Sequence, residues 1–194
     1  MNMQIGRQSV RSNSFVLGAG LILFSFPTGA TTLARMSMDQ LAGAAEAVAR
    51  VRCVRVVSRW ENGAIWTVSS FDVIETMKGS TAARILVRLP GGHVGHMTAI
   101  VDGTPIFRAG DDAVIFLERS SAGGFSISGW VQGTFRINHD SQSGNDTVTQ
   151  DSSSFAVFDS MTRAFRAEGV HRMPIEQFRK NLATAIGRVK GKVQ

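Results

Sequence analysis

One cysteine, four prolines, four histidines and no tyrosine stand among the 194 residues of this chain. A single Cys excludes an intramolecular disulfide framework and any Cys-rich zinc fold. Catalytic signatures are missing too. No G-x-S-x-G occurs, and the nearest stretch, Gly124-Phe125-Ser126-Ile127-Ser128, lacks the final glycine. There is no H-E-x-x-H, no phosphate-binding loop and no dinucleotide fingerprint, and the four His form no evident constellation, so the sequence reads as non-catalytic. What is present suffices to fold. The chain is 43% hydrophobic and 19% charged, which excludes whole-chain disorder and fits one domain of ordinary size.

Residues 1–14 hold Arg7 and Arg11 and no acid, Phe15 to Phe26 is mostly apolar, and Pro27-Thr28-Gly29-Ala30 supplies small residues. That order is expected of a secretory signal peptide over 1–30, cut after Ala30. The apolar run falls short of the ~20 residues a membrane-crossing helix needs, so no membrane span is expected after cleavage. Losing Arg7 and Arg11 and no acid leaves 19 basic and 15 acidic residues, which lowers the net charge from +6 to +4. The expected location is outside the cytoplasm, periplasmic or extracellular. There Cys53 would sit alone in an oxidising compartment, in the strand-like stretch Val51-Arg52-Cys53-Val54, as a buried and inert thiol.

The expected mature chain divides into a helical lead-in over 31–46, a β domain over 47–158 and a helix with a basic tail over 159–194. Ser37-Met38-Asp39-Gln40 has the form of a capping box, and Met38, Leu41, Ala45 and Val48 repeat at helical spacing, giving a short helix over roughly 37–47. From Ala47 the period is two. Val51 and Cys53 share one parity and Val54 and Val56 the other, which predicts a bulge near Cys53. Asn62-Gly63 between two strand-like runs predicts a type I′ hairpin. Further strands are expected at Ile85–Leu89, Met97–Val101, Phe125–Trp130 and Gly133–Asn138, with Ala113–Leu117 as a central strand buried on both faces. Residues 139–154 are nearly devoid of apolar side chains and read as a long hairpin tip or as disordered. Pro174 opens a terminal helix that the spacing ends at Gly187. The fold class is mainly β, a β-barrel or a β-sandwich.

The run Met36–Leu41, the strand ending Thr76-Met77-Lys78-Gly79, the stretch Val101–Asp112 and Gln132-Gly133-Thr134-Phe135 together resemble a family of uncharacterised exported bacterial proteins. More distantly, a strand ending in Lys-Gly and a later Gly-Asp before a hydrophobic strand ending Phe-Leu are similar to the netrin-like domain, the OB-type barrel of the tissue inhibitors of metalloproteinases. This resemblance implies a five-stranded OB-like barrel with flanking helices. It does not bring the inhibitors' mechanism, which needs an N-terminal cysteine held by disulfides, whereas the expected mature chain begins Thr31-Thr32.

Two loops hold the candidate binding residues. In Gly92-His93-Val94-Gly95-His96-Met97 two imidazoles three apart could share a metal such as zinc or copper, with Met97 a soft ligand for Cu(I); no third protein ligand is evident, and two exposed loop histidines account for the same sequence. Ile106 and Phe107, after the Gly103-Thr104-Pro105 turn, form a candidate apolar contact unless Phe107 folds back into the core. Trp60, Trp66 and Phe71 beside Arg50, Arg52, Arg55 and Arg59 have the composition of a single-strand nucleic-acid surface, but core packing and a solvated basic face explain them, and no nucleic-acid partner is expected of an exported chain. The loop Asp140–Asp146 lacks calcium-ligand spacing. The function expected is an exported, non-catalytic β-barrel module that binds a protein or cell-envelope partner, without an obligate cofactor. The alternative is a protein, weakly metal-binding or a metal-dependent enzyme, that uses the 93–97 loop.

Overall fold

The computed structural model describes residues 34–140, 144–154, 157–159, 161–166 and 169–191. The expected signal segment 1–30 and the end of the basic tail lie outside these residues. The chain is mainly β, as its alternating sequence predicts, with one large mixed sheet of eight strands and two α-helices.

Helix α1 (Met38–Ala44) starts at the predicted capping box: Gln40 N–H donates to Ser37 Oγ at 3.2 Å, and Ser37 N–H donates to Gln40 Oε1 at 2.7 Å. The helix is shorter than its sequence spacing suggests. Ala45 is already extended, and the Lys78 ammonium donates to the carbonyls of Ala42 and Ala45, so a lysine terminates the helix and the chain enters the sheet at Ala47.

Strands β1 (Ala47–Glu61) and β2 (Ala64–Lys78) form a long hairpin. Its turn residues Asn62 and Gly63 have φ of 50° and 83°, the double positive φ of a type I′ turn. The register slips between Cys53 and Arg55, where the parity change predicted a bulge. Val51 and Cys53 point into the core before the slip, and Val56 packs against the same core after it.

Strand β3 (Arg84–Pro90) pairs with β2. Next come a small separate hairpin, β4 (Gly92–Val94) with β5 (Met97–Ala99), and a long connection to β6 (Asp112–Arg119). Residues 91–95, expected as loop, thus contribute a strand, because the Gly95-His96 turn folds Met97–Ala99 back on Gly92–Val94. Strand β7 (Phe125–Ile127) is antiparallel to β6 and joins β3 in parallel at Val87 and Phe125. Beyond it, a 3-10 turn at Trp130–Gly133 replaces the expected strand continuation: Gly129 is left-handed, and a Cβ there would strike Met36 Sδ at 2.8 Å.

Strand β6 is the central strand foreseen from its continuous apolar run. It pairs with β1, β7 and β8 (Thr134–His139) and is buried on both faces. The pairings therefore run β1-β2-β3-β7-β6 and return to β1, while β8, β9 (Asp146–Gln150) and β12 (Met173–Pro174) extend the sheet from β6. The polar stretch 139–154 supplies β9, whose Val148 and Gln150 are buried. Strands β10 (Val157–Asp159) and β11 (Ala164–Arg166) form a separate two-stranded sheet, and Phe158 of β10 also bridges Ala34 in parallel, accepting from Arg35 N–H at 2.8 Å. Helix α2 (Ile175–Gly191) runs past Gly187, where the sequence pattern placed its end, since Ile186 and Val189 still find the core.

Two hydrophobic cores result, one on each side of β6. Ala113, Ile115 and Leu117 face Val51, Cys53, Phe71, Ile85 and Val87. Val114 and Phe116 face the helices, meeting Leu41, Phe135, Phe178 and Leu182.

Candidate functional site

The segment between β3 and β6, residues 91–111, covers one end of the first core and encloses a cavity of about 440 Å³. Its floor is the inward face of the β1–β2–β3 sheet, where Phe71 and Cys53 give way toward the hairpin tip to Val56, Ser58, Thr67, Ser69 and Leu89. The lining is mainly apolar with a few hydroxyl groups, the make-up of a pocket for a mostly apolar guest. Ser58 Oγ and Thr67 Oγ1 share a hydrogen bond of 2.8 Å, and Thr67 Oγ1 donates to the Gly91 carbonyl at 2.6 Å. Only glycine fits at 92: its φ is 129°, and a Cβ would collide with the Thr67 and Ser58 hydroxyls.

The cover is pinned at several points. Thr104 N–H donates to the Val101 carbonyl across a turn in which Gly103 has φ of 78°, and Val131 N–H donates to the Gly103 carbonyl at 3.0 Å. Phe107 turns inward. It is 5% exposed and meets Phe71 edge-on at 4.9 Å, so Phe107 is a plug of the core and not an exposed contact residue. The Arg136 guanidinium lies 4.3 Å over its outer face. The same guanidinium donates to the Ile106 carbonyl at 2.7 Å, to Asp111 at 2.8 Å and, through two nitrogens, to Asp151. Ile106 itself points out, 78% exposed, and Ile100 on the same rim is 84% exposed.

Of the residues singled out by sequence, His93, Ile106 and Phe107 line this one cavity; His96 and Met97 do not. His93 Nδ1 shares a 2.9 Å hydrogen bond with Thr98 Oγ1, its cross-strand partner, whereas Met97 pairs with Val94 and projects from the other face of the two-stranded ribbon. Strand alternation thus separates His93 from Met97, and His96 occupies the exposed turn. Among the described residues, no group of three or more His, Cys, Asp or Glu is placed to hold a metal ion.

The tryptophan and arginine cluster of the long hairpin divides in the same way. Phe71 is core, Trp66 stands on the outer face with Arg88 stacked 4.4 Å above its ring, and Trp60 is half exposed near the tip. Cys53 is buried, and burial, reinforced by the Asp111 carboxylate, pushes its thiol above the ordinary range, which keeps it unreactive.

No family model matches the chain, and no curated protein or solved structure does. The site's chemistry therefore rests on its own geometry.

A second depression, of about 810 Å³, is lined by Arg50, Arg52, Arg136, Asp111, Asp112 and Asp146. These charges satisfy one another. Arg50 binds Asp112 through two nitrogens, at 2.9 and 3.2 Å, and reaches Asp146 at 3.1 Å, and Asp146 also meets His139 at 2.8 Å. The hydrogen bond from His139 and then the Arg50 charge hold the Asp146 carboxyl below the usual carboxylate range. This cleft is a staple between β1, β6, β8 and β9. Arg136, which no sequence motif singles out, belongs both to this staple and to the cover of the apolar cavity. Its only sequence signal is a charge in a strand otherwise headed for the core.

Proposed function

We propose that the chain is an exported, non-catalytic binding module built on an OB-type barrel, which engages a protein partner of the cell envelope through the end covered by residues 91–107. Support for the barrel comes from the pairing order β1-β2-β3-β7-β6-β1, with β3 and β7 parallel and the other joins antiparallel, the arrangement of a five-stranded OB barrel. The distant likeness to the netrin-like domain points the same way. Export is supported by the Arg7/Arg11, apolar and small-residue order of 1–30. Among the described residues no helix is long and apolar enough to cross a membrane.

The observation that carries the reading is the apolar cavity rimmed by two isoleucines that almost completely face solvent. Loops held on a rigid sheet are where binding residues concentrate, and an apolar hollow edged by exposed aliphatic side chains is the shape of a contact site. Purified chain immobilised against an envelope extract is expected to retain a discrete partner. Ile100→Asp/Ile106→Asp is expected to lose it while keeping the wild-type thermal midpoint, because both side chains leave the core untouched. Recovery of the same proteins by both forms would sink the assignment.

A further inference from the structure

The contents of the cavity wall narrow the kind of guest it takes. Among its hydroxyls, Ser58 and Thr67 bond each other and Thr67 continues to Gly91, so neither is left for a guest to satisfy. No Lys or Arg lines the cavity, and Asp102 is the carboxylate at its edge. An anionic head group, lipid or phosphate, would therefore meet like charge and no counter-charge.

A strand edge lies open beside the same cavity. Among the described residues β5 pairs with β4 alone. Val94 and Met97 flank the two-residue turn and form its hydrogen-bonded pair, so the next residue, Thr98, turns its backbone N–H and C=O away from β4. Thr98 and Ala99 both line the cavity. Its volume, about 440 Å³, exceeds what one side chain fills and suits two, which an extended chain presents on one face at positions i and i+2, about 7 Å apart.

We propose that the β5 edge and the cavity together bind an extended, alternately apolar segment of a partner protein. The segment adds to β5 as a strand through the Thr98 backbone and turns two apolar side chains spaced by two into the cavity. This inference rests on the reading of the 91–107 end as the binding end.

Panning a random heptapeptide display library on the full chain tests it. Enriched sequences are expected to share two apolar residues at i and i+2, and a synthetic consensus peptide should bind by fluorescence anisotropy. Thr98→Pro, which removes the outward N–H, is expected to weaken that peptide at least about tenfold, whereas Thr98→Val, which loses only the bond to His93, keeps it. Failure to enrich any peptide, enrichment without the i, i+2 apolar pair, or undiminished binding by Thr98→Pro would each overturn the inference. Uptake of monodecanoin with no peptide enriched would do so as well and would mark a lipid pocket. If the envelope partner is still lost on Ile100→Asp/Ile106→Asp in any of these cases, only the extended-segment inference falls, and the binding end stands.

Discussion

Phe107 and Ile106 are neighbours in sequence and opposites in consequence. Phe107 closes the first core under Arg136, so Phe107→Ala is expected to lower unfolding free energy by about 3–5 kcal/mol, read from urea denaturation. Ile106→Ala should change it by less than about 0.5 kcal/mol. Arg136→Leu strips charge partners from Asp111 and Asp151 and the cover from Phe107; a loss of about 2–4 kcal/mol is expected in the same assay. The sequence holds both Ile106 and Phe107 as candidates because nothing local tells which side chain turns inward. That choice is made by Phe71, thirty-six residues earlier in the chain, and by Arg136, twenty-nine residues later.

At the scale of elements, local chemistry is legible where it is self-contained. The capping box at Ser37 and Gln40, the Asn62-Gly63 turn, the bulge at Cys53 and the doubly buried strand β6 each follow from residues within a few positions. Ser37→Ala is accordingly expected to cost about 1 kcal/mol, measurable by thermal unfolding monitored by circular dichroism. Illegible features depend on remote partners. Helix α1 ends early because Lys78 arrives from β2, and α2 outlasts Gly187 because a core awaits Val189. The β4–β5 ribbon is short and glycine-rich, and its position depends on the Thr67 and Ser58 hydroxyls that exclude any side chain at 92. Gly92→Ala is therefore expected to displace the ribbon while leaving the sheet intact, seen as amide shifts confined to 91–107 and the facing hairpin.

Across the whole molecule, charge stitches the outer strands to the inner ones. Asp146 is held below the ordinary carboxylate range by His139 and Arg50, and Asp159 by the N–H groups of Thr162 and Met161 and then by Arg35. Each folded value lies below its unfolded one, so the stability they contribute is present above the ordinary carboxylate range and is lost as pH falls through the folded values. Unfolding free energy is expected to decline below about pH 4, and Asp146→Asn should decline less over the same interval. The circuit of strands has one narrow join. β3 and β7 meet in parallel at a single register pair, Val87 with Phe125, whereas β1 and β6 share six. That seam sets an order of opening: β3 and β7 can part without disturbing β6, which stays clasped by β1 and β8. In native-state hydrogen exchange, the amides that bond across this seam should therefore exchange through a low-energy partial opening, whereas those of β3 bonded to β2 stay protected, and those of Ala113–Leu117 exchange only when the entire chain unfolds.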